Sequence, residues 1–288
     1  MSRAVELRCR REAPARTRGE PTLVGAAAAA VTPVIVLFAD GTAAQSHEEE
    51  LAKKLSNPIA ALISVPFQLN GDEHFGAAEQ GRKTYLNVQP VVPFKLDDGW
   101  NVISRTILPI VDQHDVVPGT SQSGIGDVTQ SLFFSPTKPG AGGLIWGIGP
   151  VLLLPTGSDG QLSARKWGLG PTGVALKQEG PWTVGVFFNH IWSIAGSSGR
   201  ADISSTFLQP FVSHTTKTAW TFSLNTESTY DWKTNHWSVP INATVTKLLK
   251  FGEQPVSIGG GVRYWAESPD AGPHDWGYRL VVTLLFPK

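Results

Sequence analysis

Five ionisable residues stand alone inside otherwise apolar or neutral stretches: Arg105, Asp127, Glu227, Arg263 and Arg279. Charges isolated in this way can select solutes in a channel, or can pair and fill a core. The seven histidines, at 47, 74, 114, 190, 214, 236 and 274, lack the spacing of a metal site, so neither a metal nor a cofactor is expected. His190 and Ser193 invite comparison with an outer-membrane lipid hydrolase, which needs a histidine held against a serine and a third group to orient it. Asn189 is adjacent in sequence, but nothing places it as that third group. No catalytic set is assigned and an enzyme is not expected. The glycines of Gly147-Ile148-Gly149 and Gly168-Leu169-Gly170 precede strand residues rather than helices, so they are not phosphate-binding loops. Gly259, Gly260 and Gly261 point to a kink or close packing before ligand approach.

The elements that must position these residues are read from the whole chain. It has 288 residues, zero net charge and 17% charged residues, low for a soluble domain. Zero net charge gives no reason to expect nucleic acid as a partner. After the leader no apolar run reaches the roughly 18 residues of a spanning helix. The single cysteine, Cys9, lies in that leader, so the rest of the chain has no disulfide, no thiolate metal site and no cysteine nucleophile.

Arginines at 3, 8, 10, 11, 16 and 18 precede an apolar run from Leu23 to Ala39 and the small residues Gly41-Thr42-Ala43-Ala44. Basic, then apolar, then small is the order of a secretory signal peptide. Cleavage is expected after Ala44, with Ala43 as the alternative, and an uncleaved anchor as the competing reading. Residues 45–60 form a periplasmic segment with a short helix over 46–58, because Leu51, Leu55 and Ile59 recur at spacing four. Glu48 to Glu50 would lie in its first turn, Lys53 and Lys54 later. Its expected role is a solvated turn, with a lumen plug or periplasmic contact as the alternative.

Residues 61–288 read as twelve strand segments, at 61–70, 83–94, 99–111, 123–135, 143–155, 168–178, 181–193, 203–213, 218–230, 237–249, 255–265 and 276–286. Most are longer than soluble strands and match the 9–11 residues that a tilted strand needs to cross a bilayer. The connections alternate between short turns and longer loops rich in Gly, Ser, Asp and His, as in bacterial outer-membrane barrels. The expected fold is all-β: a transmembrane, antiparallel, up-and-down barrel of about 12 strands, with a short helix after a signal peptide. An even strand count puts both termini on the short-turn, periplasmic side. A soluble β-sandwich is the competing architecture.

Period two is clear in 276–286, where Trp276, Tyr278, Leu280, Val282, Leu284 and Phe286 share one face. The ten tryptophans fall near segment ends: Trp100, Trp146, Trp182 and Trp220 at the short turns, the other six at the long loops. Two indole belts suit the two bilayer interfaces. Nine lie on the face assigned outward; Trp265 points inward and joins the five charges as a lumen-lining candidate. Pro90, Pro150, Pro171, Pro210 and Pro240 interrupt strands and cost ladder bonds unless they sit at bulges.

Several ordered runs carry a family resemblance: Leu51-Ala52-Lys53-Lys54-Leu55-Ser56-Asn57-Pro58, Ser104-Arg105-Thr106-Ile107-Leu108-Pro109, Gly124-Ile125-Gly126-Asp127, Gly149-Pro150 with Leu154-Pro155-Thr156-Gly157, Gln178-Glu179-Gly180-Pro181-Trp182, and Val281 to Lys288. Together they span most of 51–288. The chain resembles a family of Gram-negative outer-membrane barrels linked by name to the meta-pathway of phenol degradation. Its members are labelled transporters and, misleadingly, neuromedin U. The resemblance implies residence in the outer membrane and passage of small solutes, with aromatic or other hydrophobic compounds as the expected cargo. It implies no catalytic residue. The last segment resembles the terminal strand read by outer-membrane assembly machinery, although Pro287 and Lys288 follow its aromatic Phe286. A lipid-modifying hydrolase and a structural barrel with a filled lumen are the competing functions.

Overall fold

A computed structural model of the chain describes residues 41–76 and 78–287, with side chains from His47 onward. Residues 1–40 of the expected leader lie outside the described residues, while Gly41–Ala44, where cleavage is expected, fall in the first helix. Helix α1 covers Gly41–Leu55. Fifteen strand pieces follow: β1 Ile63–Phe75, β2 Gly81–Val88, β3 Val91–Lys95, β4 Trp100–His114, β5 Ser121–Ile125, β6 Val128–Pro136, β7 Leu144–Leu154, β8 Lys166–Glu179, β9 Trp182–Gly196, β10 Ser204–Thr215, β11 Trp220–Thr226, β12 Ser228–Asp231, β13 His236–Phe251, β14 Gln254–Glu267 and β15 Asp275–Phe286.

The pieces make twelve crossings. Three crossings are each divided in two, at Gln89-Pro90 between β2 and β3, at Gly126-Asp127 between β5 and β6, and at Glu227 between β11 and β12. Each crossing pairs antiparallel with the next in sequence. The last, β15, returns to β1 over Ile63↔Phe286 through Gly71↔Tyr278. That pairing closes the sheet and leaves no edge, the condition for crossing a bilayer with strands. The twelve segments read from the sequence are these twelve crossings. The largest shift at a boundary is in the first, where β1 continues to Phe75 rather than stopping at 70.

Besides Pro90 at its break, three of the five prolines coincide with irregularities in the ladder, while Pro210 pairs with Val186 in unbroken register. Pro240 follows a register shift after Val239, and the Glu227 amide donates to its carbonyl at 3.3 Å. Pro150 faces Pro171 across β7 and β8. The β6–β7 pairing skips from Ser131↔Val151 to Phe134↔Ile148, and the β8–β9 pairing from Leu169↔Trp192 to Thr172↔Asn189. A residue without an N–H cannot hold a ladder bond there.

The outer surface is apolar. On β9, Trp182, Val184, Val186 and Phe188 are exposed, and on β15 Trp276, Tyr278, Leu280, Val282 and Phe286 are exposed while Arg279, Thr283 and Leu285 between them are buried. A continuous apolar exterior of this kind is unfavourable in water and is the lipid face of an outer-membrane barrel. Eight of the ten tryptophans are exposed. Trp146 packs edge-on against Trp100 with centroids 5.8 Å apart, and Trp265 turns inward.

The helix differs from its expected role as a solvated turn. It starts earlier, so Glu48 to Glu50 fall beyond the first turn and only Lys53 and Lys54, in the last turn, complement the helix dipole. Leu51 and Ala52 are buried against Leu62, Ala219, Leu248 and Leu285. The Lys53 ammonium donates to the Gly180 carbonyl at 2.6 Å, and the Gln178 amide donates to the Lys53 carbonyl at 2.9 Å. Farther along, Ile59 is buried with Ile103, Phe133, Val174, Leu176 and Phe187 inside the barrel. The segment before β1 therefore packs into the short-turn end of the lumen. Its apolar stripe had to be covered, and the barrel's own inward-facing residues cover it.

Candidate functional site in the barrel lumen

The lumen is built from the inward residues of alternating strands. On β1 these are Gln68, Asn70 and Asp72; on β2, Lys83, Tyr85 and Asn87, followed by Gln89 in the break before β3. Two arginines enter from neighbouring strands. Arg279 of β15 lies opposite Gly261 of β14, and Arg263 of β14 lies opposite Gly277 of β15. A side chain on Gly261 would run into the backbone of Ala243 and Thr244, and one on Gly277 into the Asp72 carboxylate and the Gly71 carbonyl. These glycines let neighbouring strands approach closely, and at Gly261 this is the close packing expected of the glycine run.

Around the arginines a connected network joins β1, β2, β14 and β15 with Glu227, the residue between β11 and β12. Glu227 accepts two hydrogen bonds from Arg279, at 2.9 and 2.8 Å, a paired fork geometry. Arg279 Nε donates to Asn70 Oδ1 at 2.7 Å. Arg263 lies 3.6 Å from Glu227 and 3.6 Å from Asp72, and it donates to the Tyr85 hydroxyl. Its guanidinium stacks 4.6 Å from the centroid of Trp265, whose indole N–H donates to Asp72 at 3.0 Å. The arginine side chains are 4–5% exposed. Charges so far from water are tolerable only when paired, and removal of one partner costs about 3–5 kcal/mol.

Arg105 stands apart from this network. It donates to Gln89 Oε1 at 2.9 Å and its guanidinium lies 5.2 Å from the centre of the Phe187 ring. Asp127 lies beside the long loops, where its two oxygens accept the amides of Gly157 and Ala164 at 3.0 and 2.7 Å. Its main work is to fasten the loop before β8, with its residue also lining the outer vestibule.

Of the six candidates, Glu227, Arg263, Arg279 and Trp265 come together in one network. Arg105 lines the same mid-lumen cavity but bonds to Gln89 and packs on Phe187 instead of joining the network, and Asp127 belongs to a loop staple. Asp72, Tyr85 and Asn70 complete the network and were not among the candidates. The polar alternation Gln68, Asn70, Asp72 signals the inward face of the first strand, but the loop expected from residue 71 hides Asp72, and nothing sets Tyr85 apart inside the expected second strand.

Cavities follow the bore. A vestibule of about 410 Å³ is lined by Lys83, Tyr85, Asp127 and Trp265. Beyond the network, a mid-lumen cavity of about 470 Å³ is lined by Arg105, Glu227 and Arg279 on one side and Ile107, Phe187, Ile191 and Phe207 on another. Toward the short turns, cavities of about 190 and 250 Å³ share Arg105 and Ser223 with it and end on Leu55, Ser56 and Pro58 of the N-terminal segment.

The hydrolase pair does not assemble. His190 and Ser193, three apart on β9, lie on opposite faces. Ser193 donates to Asp202 at 3.2 Å and accepts the Ile203 amide at 3.1 Å. His190 bonds Thr206 at 2.7 Å and stacks on Trp192.

The chain matches no protein-family model and no curated protein. Among solved structures it is similar to an outer membrane channel from Pseudomonas putida F1, with a TM-score of 0.61 and 16% identity over 78% of this chain and 94% of that one. It also aligns with the KdgM porin in complex with disordered oligogalacturonate, at TM-score 0.45 and 12% identity over 78% and 99% of the two chains. Outer membrane phospholipase A from Escherichia coli aligns at TM-score 0.46 and 9% identity, over 78% and 96%. At such identities the likeness is one of fold: the chain folds as a twelve-crossing outer-membrane β-barrel.

Proposed function

We propose that this barrel is an outer-membrane channel for small solutes, with aromatic or other hydrophobic compounds as its cargo. The row of cavities along the bore carries the reading. Its middle member has an aliphatic and aromatic side as well as a charged one, which suits a solute with an apolar body. The fold shared with the Pseudomonas putida channel and the resemblance of the sequence runs to the phenol meta-pathway family support it. Placement in the outer membrane follows from the lipid-facing exterior, and the C-terminal strand β15 is the segment offered to the assembly machinery.

The packed N-terminal segment favours a second reading, a structural barrel whose lumen is filled. Planar-bilayer recording separates the two. A channel passes ions, and Leu51→Asp, which buries a charge against Leu248 and Leu285 and so loosens the plug, raises the conductance. A barrel that is electrically silent both unmodified and as the folded Leu51→Asp variant is a filled, structural one.

A further inference from the structure

The charges inside the bore do not balance. At the network and the mid-lumen cavity, Arg105, Arg263, Arg279 and, beside Tyr85, Lys83 stand with the two carboxylates Asp72 and Glu227. Both Glu227 oxygens are taken by Arg279, with Arg263 also close to one. Asp72 is shared by Arg263 and the Trp265 indole. Among the described residues Arg105 has a neutral amide and an aromatic ring as its partners, and no carboxylate within salt-bridge distance. A guanidinium has five N–H donors in a planar fork, and one bond to Gln89 leaves most of them to face the cavity.

The surroundings of Arg105 form a built site. It lines the mid-lumen cavity and both smaller cavities below it. Phe187, Phe207 and Phe211 stand along the apolar side, Phe187 and Phe207 in edge contact at 5.7 Å. Ser213, 5% exposed, lines the cavity next to Arg105, and its hydroxyl has no hydrogen-bond partner among the described residues. A buried hydroxyl without a partner is uncommon and points to a missing one.

We infer that the lumen holds a binding site for a small amphipathic anion, an aromatic or aliphatic monocarboxylate whose carboxylate pairs with Arg105 and whose apolar body lies on the phenylalanines. The fork of Arg105 fits a carboxylate through two parallel hydrogen bonds. The anion brings the charge that the lumen lacks, and Ser213 and Gln209, which line the cavity of about 190 Å³ together with Arg105, are the neutral donors of the site. A neutral hydrocarbon of the same shape fills the apolar side and leaves the guanidinium unmatched; a cation is repelled. The site deepens the channel reading by naming a solute class, but its occupation does not depend on passage.

The test measures binding and passage separately on the full chain. Benzoate, benzamide and benzylammonium are titrated against the barrel in nanodiscs at neutral pH by ligand-observed NMR, and benzoate flux is followed in liposomes. The expected order is benzoate above benzamide, with benzylammonium not bound. Arg105→Gln weakens benzoate about tenfold or more while leaving benzamide nearly unchanged, and Arg105→Lys retains much of the benzoate preference. Heat-modifiable gel mobility shows that each variant is folded. Equal binding of the three probes, or unchanged benzoate binding in folded Arg105→Gln, overturns the site. Benzoate that binds without crossing leaves the site standing and counts against the channel. Ion passage without benzoate preference does the reverse.

Discussion

The two walls of the lumen are made by different physics. One wall, on β1, β2 and β11–β15, is a network of Asn70, Asp72, Tyr85, Glu227, Arg263 and Arg279. The other, on β4 and β6–β9, is a packed set that includes Ile103, Phe133, Val174, Leu176 and Phe187, all at most 4% exposed. The apolar wall needs only volume and shape, because burial of hydrocarbon is non-directional. The charged wall needs every partner at its place, because an unmatched charge there has no water to turn to. The apolar side chains therefore contribute stability alone, whereas the charged ones, with Arg105 of β4 among them, contribute to stability and, in a conducting barrel, would set which ions enter.

The largest effect is expected on the charged wall. Glu227→Gln leaves Arg279 and Arg263 short of their shared carboxylate and destabilises the barrel by about 3–5 kcal/mol. Denaturant unfolding in phospholipid vesicles measures this, and the same variant moves the reversal potential toward anions. Adding Arg279→Gln to it restores part of the loss, since the two residues act as a pair. On the apolar wall, Phe133→Ala costs about 3 kcal/mol through the cavity it leaves, yet the reversal potential stays where it was. A shift of selectivity in Phe133→Ala as large as that in Glu227→Gln would erase the distinction between the walls.

Smaller changes sharpen it. Trp265→Phe removes the N–H donated to Asp72 and weakens the stack on Arg263, for about 1 kcal/mol, with a detectable change in conductance. Smallest is an effect outside the bore. The Lys166 ammonium, 2.8 Å away, holds the Asp202 carboxyl below the usual carboxylate range. A depressed folded value means that this contact stabilises the 197–203 loop at neutral pH, above the unfolded value. That contribution fades as pH falls through the folded value. Proteolysis of the loop should rise in acid in the unmodified chain and be insensitive to pH over that window in Asp202→Asn.

Much of this was legible in the sequence because a barrel strand writes its two faces at period two. The row Trp276, Tyr278, Leu280, Val282 and Phe286 reads directly as a lipid face, and Arg279 between them as a lumen residue. Trp265 was placed inward on parity alone, and it is the indole that binds Asp72. Three things were not legible. Asp72 follows Gly71, a residue that suggests a turn, and only pairing with β2 shows the strand continuing. Asp127 has the parity of a lumen charge, but its partners are amides of Gly157 and Ala164, some thirty residues away. The helix stripe of Leu51 and Leu55 shows that one face wants cover and is silent on what supplies it. Closure of the barrel around Leu248 and Leu285 provides that cover.

The central claim is an open bore with more fixed positive than negative charge. The reversal potential of the unmodified chain in a planar bilayer under a potassium chloride gradient tests it most directly. The unmodified chain is expected to conduct and to prefer chloride, with the preference reduced in Arg105→Gln. A barrel that prefers potassium, or one that carries no current before or after Leu51→Asp, would contradict it.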